Sequence, residues 1–312
     1  MPVRVRCPHC GTPCAVAEQH LGVPVKCGRC AKSFTTRADP NAKTRVEVPA
    51  SAMRLELGAA TSPGRVRERN EDSFLVQHLV CCNLDAWREL AVLVVADGMG
   101  GAAGGDRASG LVIRTVAAKL TSFISEILNG ESKEAGAVAD AVADALRESN
   151  RIVWHTAQRE AAYKGMGATA AVAVVWGEEV SIGHVGDCRV YHEHGGKLSQ
   201  VTRDQTLVAR MVELGQLTPK QALVHRARNE ITNAVGMAGN LDPVPYRVRL
   251  SAGDWLLVAC DGLHTHLDDA TLQAEMAAAK VSAAQLAQRL VDRADERGGS
   301  DNCTVLTLRC FA

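Results

Sequence analysis

The sequence carries no net charge, with 35 Lys+Arg set against 35 Asp+Glu in 312 residues. That balance excludes a protein that relies on a broad basic surface to hold nucleic acid, because such binding draws on a summed positive potential. Long hydrophobic runs are missing too. The longest, such as Leu90 to Ala96, are strand-sized and far short of the ~20 apolar residues of a membrane span. The N-terminus lacks the apolar region of a secretory leader, since Arg4, Arg6 and Cys7 arrive too soon. No internal repeat or low-complexity tract is present. The cysteines do not form a disulfide framework: there are 11, an odd number, and only two pairs take the C-x2-C form. They read as metal-bound thiolates in a reducing compartment, so a cytoplasmic protein is expected.

The length suits one large domain with an appendage. Residues 1–36 hold four regularly spaced cysteines and little apolar periodicity. Residues 37–53 are polar, contain two prolines and show no period, which marks a linker. From residue 54 to 312 the pattern is mixed α and β. Leu90–Ala96 is a buried strand by its continuous apolar, β-branched content. Helices are predicted over Asp106–Leu128 and Ala135–Arg159, the first with Ile113, Val116, Ala117, Leu120 and Ile124 on one face. Ala168–Trp176, Val180–Val185 and Arg189–His194 read as consecutive antiparallel strands turned at Gly177-Glu-Glu179 and Gly186-Asp187. Tyr246–Leu250 and Asp254–Ala259 flank the turn Ser251-Ala-Gly253. Helices over Ala270–Ala279 and Ala283–Arg297 precede a last strand, Cys303–Leu308. Strand runs alternating with helix pairs predict layered sheets with helices outside, not a parallel βαβ series.

Cys7, Cys10, Cys27 and Cys30 form C-x2-C-x16-C-x2-C. Each C-x2-C turn offers two thiolates, and the two turns together close a structural Zn2+ site of zinc-ribbon type. Gly11 and Gly28 stand where such turns call for positive φ; Cys14 and His9 are read as bystanders, although either could substitute at one corner. A segment this short has little core, so metal binding supplies its folding energy.

Acidic residues recur at turns beside Gly or Asn: Asn70-Glu-Asp-Ser73, Asp97-Gly-Met-Gly-Gly101, Gly186-Asp-Cys-Arg189, Asp261-Gly262 and Ser300-Asp-Asn302. One Asp at the end of an apolar strand is ordinarily a turn or cap residue. Several of them point to a shared cation site, because a carboxylate there is costly unless a cation meets it. Oxygen donors without clustered histidines favour Mg2+ or Mn2+ over zinc. Two such ions about 3.5–4 Å apart are the usual equipment for phosphate-ester hydrolysis.

Gly64-Arg-Val-Arg-Glu-Arg-Asn-Glu-Asp-Ser73, Ala96-Asp-Gly-Met-Gly-Gly101, Gly165-Met-Gly-Ala-Thr169, Val185-Gly-Asp-Cys-Arg189, Cys260-Asp-Gly262 and Ser300-Asp-Asn302 resemble, in order, the motif set of the metal-dependent (PPM, type 2C) serine/threonine phosphatases of bacteria. The resemblance implies an α+β fold, a four-layer α-β-β-α sandwich of two antiparallel sheets flanked by helices, here preceded by the ribbon. It implies two or three Mn2+ or Mg2+ ions. Asp97 bridges two of them, with the Gly98 carbonyl on one; Asp261 and Asp301 hold the other, Glu71 and Asp72 act mostly through water, and Asp187 helps hold a third. Arg67 grips the substrate phosphate, which suits guanidinium geometry. The implied reaction is in-line attack by a metal-bridged hydroxide on a phosphoserine or phosphothreonine phosphorus, without a phospho-enzyme. The implied partners are phosphorylated proteins, the targets of a serine/threonine kinase. Asp204–Asn229 corresponds to the flap beside the active site.

The sequence departs from the pattern at Ala102, where bacterial relatives often carry His, so no general acid is assigned. Cys188, Cys260 and Ala168 replace commoner Ser, Ser and Thr. A phosphopeptide-binding pseudophosphatase would lack Asp97, Asp261 or Asp301, and all are present. A nucleic-acid-binding ribbon would need more than Arg4, Arg6, Lys26, Arg29, Lys32 and Arg37, so nucleic acid is not expected as a partner, and the ribbon's own partner is not readable. Strand alternation puts Cys303 on the face of Asp301, which makes it the cysteine expected to look into the site and to carry any redox control.

Overall fold

The computed structural model describes residues 2–17, 20, 22–36, 53–83, 86–100, 104–128, 135–277 and 281–311. The expected linker up to residue 52, Ala102, and the end of the helix expected to reach Ala279 lie outside the described residues. The chain divides into two compact units, Met1–Val48 and Pro49–Ala312.

The first unit is a pair of hairpins. β1 (Pro2–Arg6) pairs antiparallel with β2 (Pro13–Ala17), and β3 (Pro24–Lys26) with β4 (Ser33–Thr35). The two tips repeat one geometry. Gly11 N donates to Cys7 O and Ala31 N to Cys27 O, at 2.9 and 3.0 Å. The residue after each second cysteine turns left-handed: Gly11 at φ 70° and Ala31 at φ 59°. Gly28, expected to need positive φ, does not adopt it; Ala31 does, because the left-handed residue follows the second cysteine of each turn rather than the first. Among the described residues its core cluster is Cys7, Cys27 and Phe34, and Val16 is the one other buried hydrophobic.

The second unit is built from two five-stranded sheets. One has the order β12 (Val244–Arg249), β9 (Glu179–Val185), β8 (Gly167–Trp176), β7 (Ala86–Met99), β6 (Asp72–Asn83). The other has the order β11 (Lys197–Gln200), β10 (Arg189–His194), β13 (Trp255–Ala259), β14 (Cys303–Phe311), β5 (Arg54–Ser62). Every pairing is antiparallel.

Strand alternation assigns the layers. On β7, Leu90, Val92, Val94 and Ala96 pack against α1 (Gly105–Leu128) and α2 (Ala135–Arg159), while Ala91, Leu93 and Val95 meet the other sheet. The buried stripe of α1 runs Ala108, Val112, Val116, Leu120, Ile124 at four-residue spacing, with Ile113 packed at its flank. The outer face of the second sheet (Tyr191, Leu257, Ala259, Val305) is covered by α7 (Ala283–Glu296) and α6 (Asp269–Ala277), with α5 (Asp261–His264) at one end. The result is the α-β-β-α order that the motif resemblance implied.

Two pairings differ from the sequence reading. β9 and β10 do not form a hairpin, and neither do β12 and β13; each pair lies in different sheets. Around Gly186-Asp187-Cys188 the chain crosses over, because Cys188 and Val190 bury their side chains between the sheets. The edge strands β5 and β6 have no clean period in the sequence. β6 leaves Phe74, Leu79 and Val80 exposed, and β5 contains Gly58. A Cβ on Gly58 would lie 2.3 Å from the Ala283 carbonyl carbon, so the glycine is what lets α7 start against the strand. Gly58→Ala is therefore expected to destabilise the protein by about 1–3 kcal/mol, the usual cost of overpacking. In urea unfolding this would appear as a lower midpoint with an unchanged m-value.

Candidate active site

All the acidic motifs end up at one end of the two sheets. Asp72 begins β6 directly opposite Asp97 near the end of β7, and Asp97 faces Thr169 on β8. Asp187 sits in the crossover before β10, whose first residue pairs with Ala259, and Asp261 follows two residues later. Asp301 stands just ahead of β14.

The electrostatics record how close these groups are. Burial, then Asp72, Asp261, Asp187 and Asp301, push the Asp97 carboxyl well above the carboxylate range. Burial and Asp261 raise Asp187 to about 8. Asp72 and Asp261 are each raised to about 6, chiefly by burial. Asp72 Oδ2 accepts from Thr304 Oγ1 at 2.6 Å, but Asp72 Oδ1 and Asp261 Oδ1 are buried without a partner. Orphaned anionic oxygens of this kind are costly unless a cation completes them. Among the described residues no three of these acids bring oxygens within 4.8 Å of one another, so the ring is wider than the shell of a single bare ion. Hard oxygen donors in such a ring fit Mg2+ or Mn2+.

Glu71 and Gly98 converge at the start of α1. A Cβ on Gly105 would lie 2.8 Å from both Glu71 Oε2 and the Gly98 carbonyl oxygen, so only glycine leaves room for both. Burial and then Asp106 raise the Glu71 carboxyl. The sequence reading gave Asp106 no place; its only signal is an acid in the first turn of a helix. Arg67 lies at the mouth, its side chain 54% exposed, with Nη2 2.8 Å from Asp301 Oδ2. Asn302 ties this loop down. Its Oδ1 accepts from Glu71 N at 2.8 Å, and its Nδ2 donates to Pro63 O and Arg69 O at 3.0 and 2.8 Å. The motif pointed to Asn302 but not to this stitching, which joins residues more than 200 positions apart in sequence.

On the other side, Arg189 Nε and Nη2 donate to the two Asp204 carboxylate oxygens at 2.8 and 2.6 Å. Gln205 N donates to Gly186 O at 2.7 Å and Gln205 Oε1 accepts from Gly186 N at 2.9 Å. The Asp187 loop is thereby fastened to the segment that leads into α3 (Leu207–Glu213) and α4 (Pro219–Leu223), within the stretch expected to be a flap.

Of the three cysteines beside the acidic motifs, only Cys303 falls differently from expectation. Cys188 and Cys260 are buried between the sheets, with the Cys188 Sγ 3.1 Å from Thr169 Oγ1 and the Cys260 Sγ accepting from Thr304 N at 3.0 Å. Cys303, expected to face the site, is instead 1% exposed in the core beneath α7. Asp301 lies in a bend ahead of β14, so strand alternation does not carry from 301 to 303. Redox control through Cys303 is withdrawn.

In the first unit the sulfurs of Cys7, Cys10, Cys27 and Cys30 all lie within 4.8 Å of one another. Cys7–Cys30 and Cys10–Cys27 are each 3.7 Å apart. Four thiolates at about 2.3 Å from one zinc stand about 3.8 Å apart, so the set fits. The backbone N–H groups of Cys30 and Arg29 lower the Cys27 thiol, which favours the ligating thiolate. Cys14 lies outside this set, its Sγ donating to Thr12 O at 3.6 Å.

The raised carboxyls fix a pH dependence for the metal-free protein. Between the ordinary aspartate value of 3.8 and about 6, folded Asp72 and Asp261 hold protons that the unfolded chain has lost, and folded Asp187 does so up to about 8. The folded state binds more protons in that window, so stability falls as pH rises through it. In EDTA, the urea midpoint should drop between about pH 5 and about pH 8, and excess Mn2+ should flatten the drop. A midpoint that rises over this range would mean that the acids do not share one site.

Comparison with known proteins agrees with this geometry. A family model described as protein phosphatase 2C matches residues 64–301. The chain is 30% identical over 251 residues to protein phosphatase PhpP of Streptococcus pneumoniae, covering 80% of this chain and 96% of that protein. It is 32% identical over 253 residues to the serine/threonine protein phosphatase PstP of Mycobacterium tuberculosis, covering 81% of this chain and 44% of that protein. Among solved structures, the serine/threonine phosphatase of S. agalactiae superposes with a TM-score of 0.70 at 28% identity, covering 82% of this chain and 99% of that one. The M. tuberculosis phosphatase PstP/Ppp gives 0.69 at 30%, covering 83% and 99%. A PstP catalytic domain in complex with two manganese ions gives 0.68 at 29%, covering 84% and 100%. The chain belongs to the protein phosphatase 2C family of metal-dependent serine/threonine phosphatases.

Proposed function

We propose that this site hydrolyses phosphoserine and phosphothreonine in proteins phosphorylated by a serine/threonine kinase. The observation that carries this reading is the half-buried Asp97, ringed by four acids with orphaned oxygens among them and with Arg67 at the mouth. Asp97 would be held in common by two Mn2+ or Mg2+ ions, with the Gly98 carbonyl on one and Asp261 and Asp301 on the other. Glu71 and Asp72 would reach them through water, and Asp187 would help hold a third ion. When bound, such a pair activates water and neutralises charge on the phosphoryl group.

The chain's own residues do the rest. Arg67 exchanges its contact with Asp301 for two phosphate oxygens, which orients phosphorus for in-line attack. Asn302 keeps the Arg67–Glu71 loop in register with Asp301, and the Arg189–Asp204 pair holds the Asp187 loop. No nucleophilic side chain is assigned, in keeping with hydrolysis without a phospho-enzyme. The pseudophosphatase reading is set aside because Asp97, Asp261 and Asp301 are all in place.

Residues 1–36 would form a zinc ribbon with one structural Zn2+, 37–53 a linker and 54–312 the catalytic domain. The two compact units and the 3.7 Å sulfur spacings support that division. Cysteines free of disulfides among the described residues support a cytoplasmic location. Among the described residues no helix is long and apolar enough to cross a membrane.

Hydrolysis of p-nitrophenyl phosphate and of a phosphothreonine peptide tests the reading. Activity should require Mn2+ or Mg2+ and disappear with EDTA. Asp97→Asn and Asp261→Asn should each cost about a hundredfold or more in kcat, several kcal/mol of transition-state stabilisation. Arg67→Ala should lower kcat/KM by about 10–100-fold, the worth of a charge-assisted bidentate contact. Full activity in chelator, or in Asp261→Asn, would overturn the mechanism.

A chain beginning at Met53 should keep kcat on p-nitrophenyl phosphate within tenfold, about 1.4 kcal/mol in barrier. A larger loss in a folded protein would show that residues 1–52 support the chemistry.

A further inference from the structure

His192 and His194 alternate onto one face of β10, and Asp254 lies one residue ahead of Trp255, the first residue of β13, which pairs with Glu193. His192 Nε2 is 2.8 Å from Asp254 Oδ2, and His194 Nδ1 is 2.8 Å from Asp254 Oδ1. The three donor atoms lie within 4.8 Å of one another. β10 starts with Arg189 at the active-site end and reaches His194 five residues on, about 17 Å away at strand rise. This cluster is therefore separate from the carboxylate ring.

Asp254 is the unusual member. Its side chain is 3% exposed, and among the described residues its only ion-pair partners are the two histidines. Among the described residues no lysine or arginine pairs with it, although its carboxyl is held below the ordinary value by Ser251 N and the two imidazoles in spite of burial. A buried anion is costly without a cation. Anchoring the turn needs only one imidazole beside the Ser251 N–H, which donates to Oδ2 at 2.9 Å. The second imidazole, His194, has a side chain 66% exposed and is still aligned on the same carboxylate. Two ring nitrogens and a carboxylate on rigid strands, open on one side to water, make the ligand set of a three-protein-ligand divalent metal site.

We propose that His192, His194 and Asp254 form a further metal site, which takes Zn2+ through His192 Nε2, His194 Nδ1 and the Asp254 carboxylate, with solvent completing the shell. Tetrahedral ligands at about 2.0–2.1 Å from zinc stand about 3.3–3.4 Å apart. The present hydrogen-bonded spacing of 2.8 Å opens by about half an ångström as the ion enters. The exposed His194 ring is free to make that movement. On ligation the facing nitrogen of each ring binds the ion through its lone pair, and the ring proton sits on the far nitrogen, toward solvent. Imidazole donors select zinc-like ions and disfavour Mg2+, so the site does not compete for the same ion as the oxygen ring when Mg2+ is in excess.

The test counts Zn2+ bound per full-length chain by chromophoric chelator competition in excess Mg2+, comparing wild type with His194→Ala and His194→Gln. His194→Gln keeps a neutral donor able to hydrogen-bond Asp254 but no imidazole ligand. Wild type should hold one more Zn2+ per chain than either variant and should show a Zn2+-dependent rise in Tm that both variants lose. Mn2+-dependent hydrolysis of p-nitrophenyl phosphate should be unchanged in all three, which also shows that the variants are folded. Equal Zn2+ counts in wild type and variants, or a Tm rise that survives in them, would overturn the site whatever the ribbon's own zinc content.

Discussion

Five aspartates brought to one end of two packed sheets repel one another, and the rest of the catalytic unit is arranged around that repulsion. Burial raises the carboxyls of Asp72, Asp97, Asp187 and Asp261; proximity raises them further, as at Asp97 and Asp187. The apolar layers that surround them, Val92 and Val94 against α1 and Leu93 and Val95 against the second sheet, make up the stability that the ends of the strands give away. A site of this kind is strained when empty of cations and relieved by them, so folding and metal affinity are linked through the same oxygens.

The crossovers are what make the convergence possible. If β9 and β10 were a hairpin, Asp187 would sit at the tip of one sheet's edge, remote from Asp261. Because the chain changes sheet at Gly186–Cys188, the strand ends of both sheets open onto one cleft. Side chains then fasten the loops: Asn302 on the Arg67 side and the Arg189–Asp204 pair on the Asp187 side. These contacts hold neutral and oppositely charged groups next to the acids, so the loops do not spread apart under repulsion.

The ribbon solves the opposite problem. Among the described residues its buried hydrophobics are Cys7, Cys27, Phe34 and Val16, so there is little apolar interior to hold two short hairpins in place. Four sulfurs at chelating distance stand in for that interior. The second unit can tolerate acids gathered at its sheet ends because its core is large, while the proposed ribbon would need its ligands to have a core at all.

The periodicity of residues 90–96 and 106–159, the spacing of the four cysteines and the order of the acidic motifs were legible because they are local: alternation, 3.6-residue repeats and short turns depend on neighbours in sequence. Edge strands β5 and β6 were not, since one face of each meets solvent or a helix end and the pattern blurs. Partner choice between strands was not legible either. A Gly-Asp turn reads the same whether the chain folds back in its own sheet or crosses to the next, and only the burial of Cys188 and Val190 between the sheets decides. The orientation of Cys303, the place of Asp106 beside Glu71 and the pairing of His192 and His194 with Asp254 were likewise settled by tertiary packing. The sequence by itself determined which residues are candidates for the chemistry and most of the elements that bear them. Which of those residues face one another was decided by the packing of two sheets, because contacts between positions as far apart as 71 and 302 leave no periodic trace in the chain.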